Sequence, residues 1–251
     1  MDSRLITPGR LVRLIVDEPS EGCWNMAVDE ALLESAAGGI TTLRFYQWQP
    51  ATLSLGYFQP LDDRNQHPAS HSCPVVRRSS GGGAILHDHE LTYSFSCPLD
   101  DLDTQQFYQE VHLSLRAVLD YFDVNTELWE QRNGNPGQVN PFLCFLRRTP
   151  GDLVTGGVKI AGSAQRRRRG ALLQHGSILL ETSSHAPQLS SIQEESGVQL
   201  QFSELLDRWC QQLILRWKIE FQSSQLSAVE MERARQIEAE KYSLSAWTEC
   251  R

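Results

Sequence analysis

A mixed α/β (α+β) fold, with a mixed β-sheet flanked by helices, is predicted from three features of this sequence. Strand-like runs dominate its first two thirds, helical runs lie towards both ends, and no repeat or low-complexity segment breaks the pattern. A chain of 251 residues, 40% of them hydrophobic, can build one sizeable core, and it reads as a single domain over residues 1–251.

The elements follow in order. "RLVRLIVDEP" predicts an opening strand ended by Pro19. "SEGCWNMAVDEALLESAAGG" predicts a helix, with Ser20 as its N-cap, Met26, Ala27, Ala31, Leu32 and Leu33 at helical spacing, and Gly38 and Gly39 as its stop. "TTLRFYQWQPATLSLGYFQP" is rich in aromatic and β-branched residues, and Pro50 divides it into what reads as a hairpin. "ELTYSFSCPL" alternates as a strand does, and "DTQQFYQEVHLSLRAVLDYF" predicts a second helix capped by Asp103 or Thr104. Residues 131–141, "QRNGNPGQVNP", read as a loop. "DLVTGGVKIAG" predicts a hairpin turning at Gly156 and Gly157, "RRRRGALLQHGSILLE" a further strand pair, and the tail two helices.

Composition excludes several classes. A formal net charge of -8 argues against general nucleic-acid binding. No apolar run approaches the ~20 residues of a membrane span, and the N-terminus lacks a secretory apolar stretch, so the chain reads as soluble and cytoplasmic. Six cysteines without a C-x-x-C pair fit neither a zinc site nor a disulfide framework. "HDHE" at 87–90 offers possible ligands, and strand spacing would put His87 and His89 on one face with nothing else nearby, so no metal is expected. The basic run Arg166 to Arg169 has two readings, a solvated hairpin end or a docking patch for an acidic protein.

The chemistry-bearing signals are few. No G-x-S-x-G elbow, H-E-x-x-H pair, Walker loop or dinucleotide fingerprint is present. "RRSSGGGAI" combines two arginines with three bare residues, as a flexible turn would, or as a place where backbone must approach a ligand closely. Of three lysines, only Lys159 lies in a glycine-rich, strand-like setting, "GGVKIAGSAQ". Cys144, in "PFLCFLRR", stands fifteen residues before it and could be a core thiol or a nucleophile.

"NMAVDEALL", "RFYQWQPATLSLGYFQ", "RRSSGGGAILHDHELTYSF" and "GGVKIAGSAQRRRRGALLQHGSILL", in this order, resemble the lipoate–protein ligase and octanoyltransferase superfamily, which shares its catalytic fold with biotin–protein ligases. The resemblance spans roughly residues 10–245. It implies an acyl pocket bordered by Arg77, Arg78, Gly82, Gly83, Ala84, Ile85, Leu86, His87, Gly162, Ser163, Ala164 and His175. Lys159 matches the family's lysine, which binds the acyl group in the ligases and activates a thiol in the transferases. Cys144-Phe145 matches the Cys-Phe pair of the branch that transfers octanoyl from acyl carrier protein, although "LRRTPGD" follows where that branch has Pro-Ser and an aromatic. Many ligases carry a further C-terminal domain, and this chain ends at Arg251.

The function implied is transfer of an octanoyl or lipoyl group through a Cys144 thioester, in protein lipoylation. The donor would be octanoyl-acyl carrier protein, and the acceptor the lysine of a lipoyl-domain or glycine-cleavage H-type protein. No cofactor, nucleic acid or membrane is implied. The alternatives are an ATP-dependent lipoate–protein ligase and a non-catalytic protein that binds lipoyl carriers.

Overall fold

A computed structural model describes residues 9–100, 102–130 and 141–251. The chain opens with β1 (Leu11–Val16), α1 (Gly22–Ala37), β2 (Thr42–Tyr46) and β3 (Thr52–Leu55). It continues through β4 (Val75–Arg77), β5 (Ile85–His87), β6 (Glu90–Pro98), α2 (Thr104–Tyr121) and β7 (Glu127–Leu128). Then come β8 (Leu153–Thr155), β9 (Val158–Arg168), β10 (Ala171–Leu179) and α3 (Ile192–Ser196). The last elements are α4 (Phe202–Trp217), β11 (Glu220–Ser223), α5 (Ala228–Ile237) and α6 (Ser245–Thr248).

Among the described residues, eight strands make a mixed sheet in the order β11-β1-β2-β6-β10-β9-β8-β7. β1 runs parallel to both β11 and β2, and the remaining pairings are antiparallel. β4, β3 and β5 form a separate three-stranded sheet. Side chains alternate across the large sheet. Leu43, Phe45, Leu91, Tyr93 and Phe95 pack with α2 and α4 around Trp209. Tyr46 packs instead with Met26, Val28 and Ala31 of α1 and Ile237 of α5.

The predicted glycine turn forms. Gly156 and Gly157 have φ of 56° and 80°, the left-handed region that a tight hairpin turn demands. The arginine run does not open a further strand pair: it ends β9, and the chain turns at Arg169 and Gly170 into the one strand β10. Asp103 caps α2 by accepting from the N–H groups of Gln105 and Gln106.

Four further expectations are corrected. Ser20 does not cap α1. It is held in a bridge to Trp48, which leaves Glu21 at the cap position. The hairpin across Pro50 does not form, because β2 is already paired on both edges by β1 and β6, and the chain crosses to the second sheet as β3. His87 and His89 do not share a face: His87 ends β5 and is buried, whereas His89 lies in the turn before β6 and its side chain is 56% exposed. The tail holds β11 between its helices, a strand too short and too polar to stand out. The predicted loop at 131–141 lies, apart from Pro141, outside the described residues. Among the described residues, no helix is long and apolar enough to cross a membrane, and no group of three or more His, Cys, Asp or Glu side chains could hold a metal ion.

Candidate active site

An apolar cavity lies between the large sheet and the three-stranded sheet. Met26, Tyr46, Trp48, Ile85, Phe145 and Ala164 supply apolar wall, and Cys144 and Lys159 lie at one end.

The chain places Cys144 there by a backbone clip. Ala84 donates its N–H to the Phe142 carbonyl at 3.0 Å, and the Cys144 N–H returns a bond to the Ala84 carbonyl at 2.7 Å. Cys144 then opens a single 3₁₀ turn, Cys144–Leu146. Lys159 comes from the hairpin that turns at Gly156 and Gly157, so the segment between the two folds back until Nζ lies 3.9 Å from Sγ. The Lys159 ammonium also makes a 2.9 Å ion pair with the buried Asp152 carboxylate, and lies over the Phe145 ring. Asp152 is held in turn by the Thr149 N–H and hydroxyl, and by the Tyr108 hydroxyl.

The glycine run answers to crowding. A Cβ on Gly56 would lie 1.9 Å from the Gly82 carbonyl oxygen, so two backbones meet where no side chain fits. Gly82 itself has φ of +98°. A Cβ on Gly83 would press on the Phe142 carbonyl at 3.1 Å and on the Cys144 backbone at 3.3 Å. Arg78 fastens the loop, donating to the carbonyls of Ser54, Gly81 and Gly83. Burial lowers its guanidinium to about 10, with Cys144 acting in the opposite direction. Among the described residues, the N–H groups of Gly81, Gly82 and Gly83 have no hydrogen-bond acceptor, and a Cβ on Gly82 would lie 3.9 Å from the Cys144 sulfur.

Beneath the apolar wall lies a polar floor. Burial pushes the Asp29 carboxyl up, but the hydrogen bond from His175 and the Arg44 charge outweigh it and hold it below the usual carboxylate range. The ionised Asp29 accepts from Arg44, Tyr46, Ser94 and His175. The Nδ1 of His175 lies 3.2 Å from the Asp29 carboxylate, and its Nε2 lies 2.5 Å from the Ser80 hydroxyl. His87 stacks on Trp48 with ring centroids 3.8 Å apart and is bonded to Ser54 and Glu90. Burial pushes its imidazole below the ordinary histidine value, despite Glu90 beside it.

The structure brings most of the predicted positions together and separates others. Cys144, Lys159, Arg78, Gly82, Ile85, His87, Gly162, Ser163, Ala164 and His175 all line the cavity. Ser163 turns its hydroxyl away, to His112 and Tyr93 in the α2 layer, because alternate residues of β9 face opposite sides. Arg77 does not line it. Successive residues at a strand end point in opposite directions, and the Arg77 guanidinium is occupied by the carbonyls of Gly56, Gln59 and Thr248. Gly83 lies on a neighbouring groove, while Ala84 and Leu86 pack into the core beneath, with the Ala84 backbone engaged by the clip. Asp29, Trp48 and Asp152 were not legible as site residues. Of these, only Asp29 carried a signal, as a carboxylate one helical turn from Met26 and Leu33 on a buried face.

Residues 21–207 match the lipoyl protein ligase A/B catalytic domain, and the chain belongs to that family. Among curated proteins it is similar to octanoyltransferase LipM of Oceanobacillus iheyensis, 39% identical over 178 residues, which cover 64% of this chain and 61% of that protein. It is also similar to octanoyltransferase LipM of Brevibacillus brevis, 38% identical over 184 residues, covering 67% of this chain and 66% of that one. The chain thus spans just under two thirds of the length of these relatives. Its fold is that of a putative lipoate protein ligase from T. acidophilum, with a TM-score of 0.79 at 24% identity, covering 98% of this chain and 100% of that one. A lipoate-protein ligase A bound with ATP gives a TM-score of 0.76 at 24% identity, over 97% and 99% of the two chains.

Proposed function

We propose that this protein is an octanoyltransferase of protein lipoylation, acting through an acyl-enzyme on Cys144. The observation that carries this reading is the position of Cys144 at the end of an apolar cavity, with Lys159 Nζ 3.9 Å from its sulfur. The cavity wall suits a saturated chain, and a thiolate is the strongest nucleophile that a neutral site offers without a metal. In this reading the donor is the octanoyl thioester of acyl carrier protein. Cys144 attacks its carbonyl, and the free N–H groups of the glycine loop receive the negative oxygen. Lys159 and Arg78 add positive charge near that point. The lysine amine of a lipoyl-domain or glycine-cleavage H-type protein then attacks the Cys144 thioester, the amide forms, and the sulfur departs. The thioester is already activated, so this reaction asks for no nucleotide.

The test is intact mass spectrometry after mixing the protein with octanoyl-acyl carrier protein without ATP. One octanoyl group is expected on the parent, located on Cys144, and none on Cys144→Ala. ATP-dependent attachment of free lipoate that survives Cys144→Ala would instead make the protein a ligase.

A further inference from the structure

Cys144 and Gly82 line two cavities, not one. Beyond the apolar cavity lies an open groove, edged by Phe58, Pro60, Asp63, Gln66, Pro141 and Arg147. Flat apolar rings alternate there with amide, carboxylate and guanidinium groups. Its wall is fixed rather than loose. The Gln59 amide accepts from the Gly56 N–H and donates to the Phe142 carbonyl, which ties the wall to the segment carrying Cys144. Arg77 holds the same wall from behind through the carbonyls of Gly56 and Gln59.

A thioester has two arms on one carbonyl carbon. If the acyl arm fills the apolar cavity, the sulfur arm has to lie in the other opening at Cys144. We infer that the groove binds the thiol arm of the donor, an extended chain of methylene and amide units of the pantetheine class. This rests on Cys144 being the acyl carrier. The step balances: the bond from the Cys144 sulfur to the carbonyl carbon forms as the donor's carbon–sulfur bond breaks. The departing sulfur keeps that electron pair and regains from solvent the proton that Cys144 gave up. The lining fits such an arm. Phe58, 74% exposed, and Pro60 offer apolar surface to methylenes, while Asp63 and Gln66 offer hydrogen-bonding groups to amides.

Two octanoyl donors separate the arms. Octanoyl-pantetheine carries an arm for the groove, and p-nitrophenyl octanoate carries none. Each is mixed with the parent, with Gln66→Trp at the exposed rim, and with Asn65→Trp outside the groove, and loading of Cys144 is followed by intact mass. The ratio of the pantetheine rate to the ester rate is expected to fall about tenfold or more in Gln66→Trp, because contacts to the non-reacting arm are lost. In Asn65→Trp it is expected to stay within about twofold of the parent, as for most surface changes. Loading by the ester reports in each case that the fold and the acyl cavity persist. An unchanged ratio in Gln66→Trp, with Cys144 loaded by both donors, overturns the groove's assignment and leaves the acyl-enzyme standing. Failure of both donors to load Cys144 in the parent overturns the acyl-enzyme, and the groove with it.

Discussion

Gly162 is bare because Lys159 occupies the place of its side chain: a Cβ there would lie 2.4 Å from Lys159 Cε and 2.6 Å from Nζ. The two residues face the cavity from one strand, and the lysine folds back across the glycine to reach Asp152. Gly162→Ala should therefore push the ammonium off Asp152 and away from Cys144. The lysine end is flexible, so the stability cost should stay near the low end of the ~1–3 kcal/mol of overpacking, while octanoyl transfer falls about tenfold or more. Thermal melting and transfer rates check this together, and near-parental transfer would refute the relationship.

Gly83→Val should act on the cysteine rather than on the cavity. Its Cβ meets the Phe142 carbonyl and the Cys144 backbone, both parts of the clip to Ala84. Backbone cannot yield as a side-chain end does, so acyl loading should fall by about two orders of magnitude with the folded state retained. Loading measured by intact mass, beside a far-ultraviolet dichroism spectrum, decides it.

Lys159→Ala should remove most transfer and slow the alkylation of Cys144 by iodoacetamide at neutral pH, since a nearby cation favours the thiolate that reacts. It should also leave the buried Asp152 without its cation, a loss of about 3–5 kcal/mol. Adding Asp152→Asn should restore part of that stability without restoring transfer. Lys159→Arg should recover some alkylation and less turnover, because a guanidinium keeps the charge and changes the geometry. Identical alkylation profiles with and without Lys159 would remove its role at the thiol.

Stability should fall as the medium turns mildly acidic. Burial pushes His87 and His112 below the ordinary histidine value of 6.5, so the folded protein keeps them neutral where the unfolded chain takes up protons. Their contribution is complete above about pH 6.5 and is lost as pH falls below it, by up to about 1.4 kcal/mol per pH unit for each. Urea unfolding between about pH 7 and pH 5 should show the slope, and His112→Gln should make it shallower. A stability that is flat over that range would contradict the assignment.

The four arginines do not act as one. Arg168 pairs with Glu30 at 2.6 Å, and Arg169 occupies the hairpin turn, whereas Arg166 and Arg167 are exposed. Replacing Arg166 and Arg167 by Ser should weaken carrier-protein binding severalfold at low salt and flatten its salt dependence. Arg168→Ser should instead cost about 1 kcal/mol of stability through Glu30. Equal effects of both changes on binding would return the whole run to a structural role.

Much of this protein was legible along the chain, because the signals are local. The period of α2, the Asp103 cap and the glycine turn at Gly156 and Gly157 depend on residues a few positions apart. The motifs around Arg78, Cys144 and Lys159 pointed to the family before any contact was visible. What the sequence left open were pairings between distant segments. Read locally, β2 is half of a hairpin, because nothing nearby reveals that β1 and β6 claim its edges. The polar alternates of β6, Thr92, Ser94 and Ser96, look like a wet face. They are buried: Thr92 accepts a hydrogen bond from the Trp48 indole, and Ser94 donates one to Asp29, partners that come from other elements. Sequence alone therefore determined helices α1 and α2, the turn at Gly156 and Gly157, and the cysteine and lysine that carry the proposed chemistry. Only the tertiary structure decided that Arg78 faces the cavity while Arg77 faces away, that Asp152 holds Lys159, and that Cys144 stands between two openings. The physical reason is that periodicity records which side of its own backbone a residue takes, whereas the partner on that side is set by register and packing across the whole fold.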